Sequence, residues 1–173
     1  MPRNIEIKAR IEGLEALLQV AATLTGTQPT RITQDDTFFH VSHGRLKLRQ
    51  FADGRAELIH YQRPDDSAAK ASDYVLVPVP DPAALREALA RACGLIGHVR
   101  KQRWLFLAGQ TRIHVDRVEG LGDFMELEVV LRDGQSDADG VRIADELMQA
   151  LGLANAQRIA GAYFDLAGNR EAT

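Results

Sequence analysis

Asn4-Ile5-Glu6-Ile7-Lys8-Ala9-Arg10-Ile11 alternates polar and apolar residues without a break. A period of two puts Glu6, Lys8 and Arg10 on one face of a strand, and Ile5, Ile7, Ala9 and Ile11 on the other. A single strand of this kind is satisfied with its polar face in water. The same pattern recurs, however, and each time the polar face holds charge. Arg45, Lys47 and Arg49 share a face with Leu46 and Leu48 opposite; Lys101 and Arg103 share another. Arg112 is in phase with His114 and Asp116, and Glu126 with Glu128, against Ile113, Val115, Leu127, Val129 and Leu131. Like charges along one strand repel unless opposite charges face them across the sheet. A sheet that closes on itself brings the basic and acidic strands together. The fold expected is therefore α+β: an eight-stranded antiparallel β-barrel, a tunnel with a charged lumen, its apolar exterior covered by helices.

The rest of the chain supplies the parts. Leu14, Leu17, Leu18 and Ala21 fall at helical spacing within residues 13–25. Ile32 to Val41 reads as extended, and Asp53-Gly54 as the tight turn of a hairpin joining 45–49 to 56–62. A strand follows over Asp73 to Val79. Asp81-Pro82 is a helix start, an N-cap followed by proline, with Gly94 as a stop after about Ala92. Val99–Leu107, Arg112–Val118 and Phe124–Leu131 read as strands, Asp137 to Leu151 as an amphipathic helix, and Ile159–Leu166 as a closing segment of undetermined type.

The chain has 173 residues, 45% hydrophobic and 26% charged, a composition that buries a core and excludes a disordered tail. Residues 1–173 are expected to form one domain with its core at about 4–167. Its densest apolar run, Trp104-Leu105-Phe106-Leu107-Ala108, is far below the ~18 residues that cross a bilayer, so no membrane association is expected. One cysteine, Cys93, and no apolar leader after Met1 point to the cytoplasm. A net charge of −3 and 6% aromatic residues argue against a nucleic-acid partner.

A lumen rich in arginine and lysine suits a chain of phosphates, which arginine binds bidentately and lysine as a point charge. An acidic cluster in the same lumen holds phosphate only through a divalent cation, Mg²⁺ or Mn²⁺, which takes carboxylate and phosphate oxygens. Glu126 and Glu128 address one ion from the same strand face, and Glu6 closes the site. The chemistry implied is phosphoryl or nucleotidyl transfer driven by positioning and charge neutralisation.

At these residues the sequence resembles the CYTH family of triphosphate tunnel metalloenzymes, which includes class IV adenylyl cyclases, thiamine triphosphatases and inorganic triphosphatases. The resemblance rests on Asn4-Ile5-Glu6-Ile7-Lys8 against the family's Glu-x-Glu-x-Lys, on Gly44-Arg45-Leu46-Lys47-Leu48-Arg49, Val99-Arg100-Lys101-Gln102-Arg103 and Arg112-Ile113-His114-Val115-Asp116, and above all on Val118-Glu119-Gly120-Leu121-Gly122-Asp123-Phe124-Met125-Glu126-Leu127-Glu128. It implies a metal-dependent enzyme, a phosphohydrolase or an adenylate cyclase-like protein, acting on a triphosphate-containing small molecule; a binding module with little turnover is the alternative. Glu6, Glu126 and Glu128 take the metal-binding roles. Asp116 is either a further ligand or the partner that orients a basic residue. Lys8, Arg10, Lys47, Arg49, Lys101, Arg103 and Arg112 match phosphate-holding positions, with Lys8, Arg49, Lys101 and Arg103 closest to the chemistry. A homodimer is implied by the same resemblance. Two positions depart from the pattern. Asn4 replaces the first glutamate, and Gln62 stands where a lysine often precedes Pro64, leaving Arg63 as a substitute for phosphate binding.

Other features read in two ways. His114 is a lumen residue or a hydrogen-bonded structural one. Tyr163 closes the tunnel or packs in the core. Glu57 is a counter-ion or a solvated charge. Asp35 and Asp36 read as capping or loop residues ahead of metal ligands, Gly120-x-Gly122 as a turn ahead of a phosphate loop, and His40 with His43 as solvated ahead of a zinc pair. Replacement of Lys101 or Arg103 by alanine is expected to weaken triphosphate binding and to raise stability by relieving repulsion.

Overall fold

The computed structural model describes residues 3–62, 70–160, 163, 165 and 166. Eight strands run in the order β1 Arg3–Arg10, β2 Thr30–Phe39, β3 Arg45–Phe51, β4 Ala56–Gln62, β5 Lys70–Pro78, β6 Leu95–Ala108, β7 Thr111–Val118 and β8 Gly122–Val130. Three helices, α1 Leu14–Thr25, α2 Pro82–Cys93 and α3 Asp137–Ala150, join them. The strands close into a barrel in the order β1-β5-β4-β3-β2-β6-β7-β8, every pair antiparallel. It consists of two meanders, β2–β5 and β6–β8. Strand β1 joins them on one side and the β2–β6 pairing on the other. Closure leaves no free sheet edge.

The local chemistry explains the connections. At the β3–β4 hairpin Gly54 sits at φ 89°, a conformation that needs glycine, and the Phe51 amide bonds the Arg55 carbonyl at 2.9 Å. Asp81 accepts from the Ala84 amide at 3.0 Å to start α2, with Pro82 at the first position. Ser136 and Asp139 form a reciprocal capping box at the start of α3. Strand β6 begins four residues before the expected Val99, because Gly94 turns the chain straight from α2 into pairing with β2, where Leu95 meets Phe39 across a bulge.

The hydrophobic core lies outside the barrel. Ile5, Ile7, Ala9, Ile113, Val115, Leu127 and Val129, all at most 1% exposed, pack beneath Leu14, Leu17 and Ala21 of α1 and Ala144 and Met148 of α3. A smaller cluster joins Phe39 and Leu48 to Leu85 and Leu89 of α2. With the apolar faces of β1, β7 and β8 covered by α1 and α3, the polar faces of these strands turn to the lumen. Among the described residues, no helix is long and apolar enough to cross a membrane.

Candidate active site

Alternation turns every second residue of the strands inward, onto a cavity of about 430 Å³. Its two walls differ in sign. On one, β2 lies between β3 and β6, and the carboxylate of Asp36 is the hub. Arg49 donates to it through Nε and Nη2, both at 2.7 Å, while Lys47 and Lys101 stand 3.4 and 3.7 Å away. Burial pushes the Asp36 carboxyl up, but these three cations outweigh it and hold it well below the usual carboxylate range. Burial and Arg49 bring the Lys47 ammonium down to about 8, and burial with Arg103 lowers Lys101 well below an ordinary amine.

The opposite wall is β8 flanked by β1 and β7. Register sets Glu6 beside Glu128 and Lys8 beside Glu126 on one flank, and His114 beside Glu126 and Arg112 beside Glu128 on the other. His114, Glu126 and Glu128 each offer a ligand atom, and those atoms all lie within 4.8 Å of one another. His114 is 4% exposed, and its Nδ1, 3.9 Å from both carboxylates, makes no hydrogen bond. Burial first, then the Arg103 charge, lowers its pKa, so the imidazole is neutral and able to ligate near pH 7. Burial raises the Glu126 carboxyl, but Lys8, His114 and Arg103 beside it hold it well below its ordinary value. Two ionised carboxylates and a neutral imidazole are a donor set for a divalent cation, and the imidazole suits Mn²⁺ better than Mg²⁺. Asn4, 3% exposed, lines the same cavity with its Oδ1 unpartnered, a further neutral oxygen beside the acids.

Arg103 links the walls. It donates to Asp116 through Nε at 2.7 Å and Nη2 at 2.6 Å, and through Nη2 to Glu126 at 3.1 Å. Asp116 also accepts from the Tyr163 hydroxyl at 2.8 Å. Burial pushes Asp116 up, yet Arg103 brings it down to about 2. The Tyr163 ring lies under Lys8 Nζ at 4.2 Å and Lys101 Nζ at 5.1 Å, and it packs with Phe124, Phe38, Val99, Val118 and Leu121 to fill one end of the barrel.

The CYTH domain profile matches residues 2–163. The chain belongs to the CYTH family. No curated protein matches it. Among solved structures it is similar to PH1012 from Pyrococcus horikoshii (24% identity, TM-score 0.84, covering 94% of this chain and 98% of that one). It is also similar to a Vibrio parahaemolyticus protein provisionally named an adenylate cyclase (18%, 0.76, 95% and 97%). A third is Hippeastrum HpAC1, provisionally an adenylyl cyclase and described as having a dominant triphosphatase activity (13%, 0.67, 100% and 97%). At these identities the likeness is one of fold.

Most residues matched to CYTH positions come together. Glu6, Lys8, Lys47, Arg49, Lys101, Arg103, Arg112, Glu126 and Glu128 all line the cavity. Asp116 is outside the close acidic group, and Arg103 and Tyr163 engage its carboxylate. Arg10 leaves the lumen: it donates to the Leu121 carbonyl at 3.0 Å and lies over the Phe124 ring at 4.7 Å. Arg63 is outside the described residues. Asp36 corrects the reading of residues 35 and 36 as loop or cap: both are on β2, Asp36 inward and 1% exposed, Asp35 outward with Arg100 and His98. The available signal was phase, since Asp36 is two residues from both Gln34 and Phe38 on one face. Glu57 faces the lumen opposite Arg49, a counter-ion position.

Proposed function

We propose that this CYTH protein is a divalent-metal-dependent enzyme that hydrolyses a triphosphate. The observation that supports this reading is the opposition of the two walls: Lys47, Arg49 and Lys101 on one, and the His114–Glu126–Glu128 group across the lumen. A phosphate chain has cations to hold it on the first wall and a metal group to meet it on the second. Bound Mg²⁺ or Mn²⁺ would be held by Glu126, Glu128 and His114, with Glu6 adjacent, and would supply charge neutralisation on the phosphate oxygens. Arg103, pinned by Asp116, presents fixed N–H groups, and Lys8, Lys101 and Arg49 offset the charge that develops on the leaving oxygen. Water adds to the terminal phosphorus, the bond to the bridging oxygen breaks, and one proton is released to solvent.

The test incubates purified protein with Mg²⁺ or Mn²⁺ and ATP, thiamine triphosphate or tripolyphosphate, resolving phosphate, pyrophosphate and cyclic AMP. Metal-dependent orthophosphate is the expected product. Glu126→Gln should cut its release by at least about 100-fold, on the order of the loss of one charge-stabilising group, while the thermal unfolding curve stays cooperative. Cyclic AMP with pyrophosphate would replace hydrolysis by cyclisation, and binding without any product would make the tunnel a binding module.

A further inference from the structure

The cationic wall has a carboxylate at its centre. Asp36 is 1% exposed and lines the lumen, where it repels any phosphate that docks beside it, so its presence calls for a role of its own. Its two oxygens take the Nε and Nη2 donors of Arg49, which fixes the guanidinium plane and leaves Nη1 uncommitted to Asp36. Oδ2 also faces the ammonium of Lys47 at 3.4 Å and that of Lys101 at 3.7 Å. Register brings these groups together. Arg49 is directly opposite Asp36 on β3, Lys47 is opposite Phe38, and Lys101 on β6 is opposite Gln34, each pair on the lumen side of β2. Cations this close and out of water disfavour one another's charge unless an acid lies among them.

Lys47 shows the balance most directly. Its ammonium faces Arg49 on its own strand, Asp36 on β2, the rings of Phe38 at 5.8 Å and of Tyr61 on β4 at 5.4 Å, Arg103 on β6 and Glu126 on β8. Burial, then Arg49, draw its pKa down to about 8 with Arg103 adding to the fall, while Asp36 and Glu126 oppose them. Of the two acids, Asp36 is the one within ion-pair distance. Resting on the triphosphate reading above, we propose that Asp36 is a positioning residue for that reaction: it locks Arg49 and keeps Lys47 an ammonium before phosphate binds, so that the wall presents both cations to the incoming chain. Asp36 acts through Arg49 and Lys47 and needs no contact with the substrate. A carboxylate in a phosphate-binding wall lowers the attraction a little and in return keeps the wall charged and in place.

Calorimetric titration with tripolyphosphate, without a divalent ion and from about pH 6.5 to about 9.5, reads the cationic wall by itself. Lys47→Arg is the reference, because a guanidinium stays charged throughout and the ligand's own ionisation cancels in the ratio of affinities. Relative to Lys47→Arg, wild-type affinity should fall at least about 5-fold across this range as the Lys47 ammonium is lost. In Asp36→Asn the same fall, measured against Asp36→Asn/Lys47→Arg, should come at least about one pH unit earlier. Damage that merely loosened the wall would weaken binding at every pH and leave the midpoint where it is. Thermal unfolding checks each variant. If Asp36→Asn does not fold, Asp36→Asn/Lys101→Met, which removes a facing cation with the acid, is compared with Lys101→Met, each against its own Lys47→Arg reference. A midpoint that does not move, or a wild-type profile parallel to that of Lys47→Arg, overturns the role given to Asp36 and leaves the triphosphate reading standing. Wild-type protein that binds no tripolyphosphate at any pH, with or without Mn²⁺, overturns both.

Discussion

At the residue scale, two neighbouring cations on β6 illustrate why charge alone does not predict stability. Lys101 and Arg103 share a face and a sign, and sequence reasoning assigns them the same fate on truncation. Their partners differ. Arg103 gives two hydrogen bonds to Asp116, which is fully buried, and one to Glu126. Removing it leaves a buried carboxylate without the guanidinium that pairs with both of its oxygens, a defect that costs about 3–5 kcal/mol. Asp36, by contrast, keeps both Arg49 bonds and Lys47 when Lys101 is lost. Lys101→Met should therefore raise stability by about 1 kcal/mol, since it removes an ammonium that burial and Arg103 disfavour. Arg103→Ala should lower it by about 3–5 kcal/mol at pH 7. Denaturant unfolding of both variants checks the contrast, and a gain in stability for Arg103→Ala would overturn the role given to Asp116. The pH dependence has a definite sign. Asp116 has a folded pKa of about 2, below its ordinary value of 3.8. Its contribution is complete above that ordinary value and fades as pH falls toward the folded one. The Arg103→Ala deficit should accordingly shrink as unfolding is measured at pH 5, then 3, then 2.

At the element scale, the helices were readable because their signals are local: Asp81-Pro82 ahead of α2, and the periodic Leu14, Leu17 and Ala21 of α1. The strand faces were readable for the same reason, since alternation is a property of consecutive residues. What alternation leaves open is which side chain of an inward row finds a partner. Asp116 and Arg112 share a face of β7, yet Asp116 is sealed by Arg103 and Tyr163 while Arg112 reaches Glu128 at 2.8 Å at the open end. The place of Asp36 as a counter-ion was missed because an acid in the polar run Gln34-Asp35-Asp36-Thr37 looks solvated until β3 and β6 bring their cations to it from separate parts of the chain. Gly140 is another case, a helix-interior glycine with no local reason to exist. A Cβ there would sit 2.7 Å from Leu131 Cδ2 and closer still to Ile5, so glycine is what lets α3 lie directly on β1. Gly140→Ala gains helix propensity but overpacks this contact, and the overpacking is the larger effect. The variant should lose about 1–3 kcal/mol, read as a lower denaturation midpoint with unchanged slope. An unchanged or raised midpoint would mean that α3 shifts freely on the barrel.

At the scale of the whole molecule, the barrel inverts the usual arrangement, with its greasy layer between sheet and helices and its ions inside. Closure was legible from the charge that recurs on one face of strand after strand, and tunnel closing was one of two roles open to Tyr163; which end is closed and which open was not legible. It depends on Tyr163, over thirty residues beyond the last strand, packing into the lumen, and on the β4–β5 wall bringing Tyr74 and Leu76 to the mouth. This design has a thermodynamic consequence. In the free protein lumen acids engage the lumen cations: Glu126 meets Lys8 and Arg103, Glu128 meets Arg112, and Asp36 meets Lys47, Arg49 and Lys101. A triphosphate adds negative charge to the cationic wall, and a divalent ion offsets it at the acidic wall, so the two ligands should reinforce each other. At a free ligand concentration 100 times its dissociation constant the folded state gains about 2.7 kcal/mol. For a chain of this length each kcal/mol moves the melting temperature by about 2–4 °C. Tripolyphosphate with Mn²⁺ should therefore raise the melting temperature by about 5–10 °C, more than the separate shifts added together. In Glu126→Gln the excess over additivity should disappear while the shift from tripolyphosphate alone persists. Strictly additive shifts in the wild-type protein would separate the two walls and remove the metal from triphosphate binding.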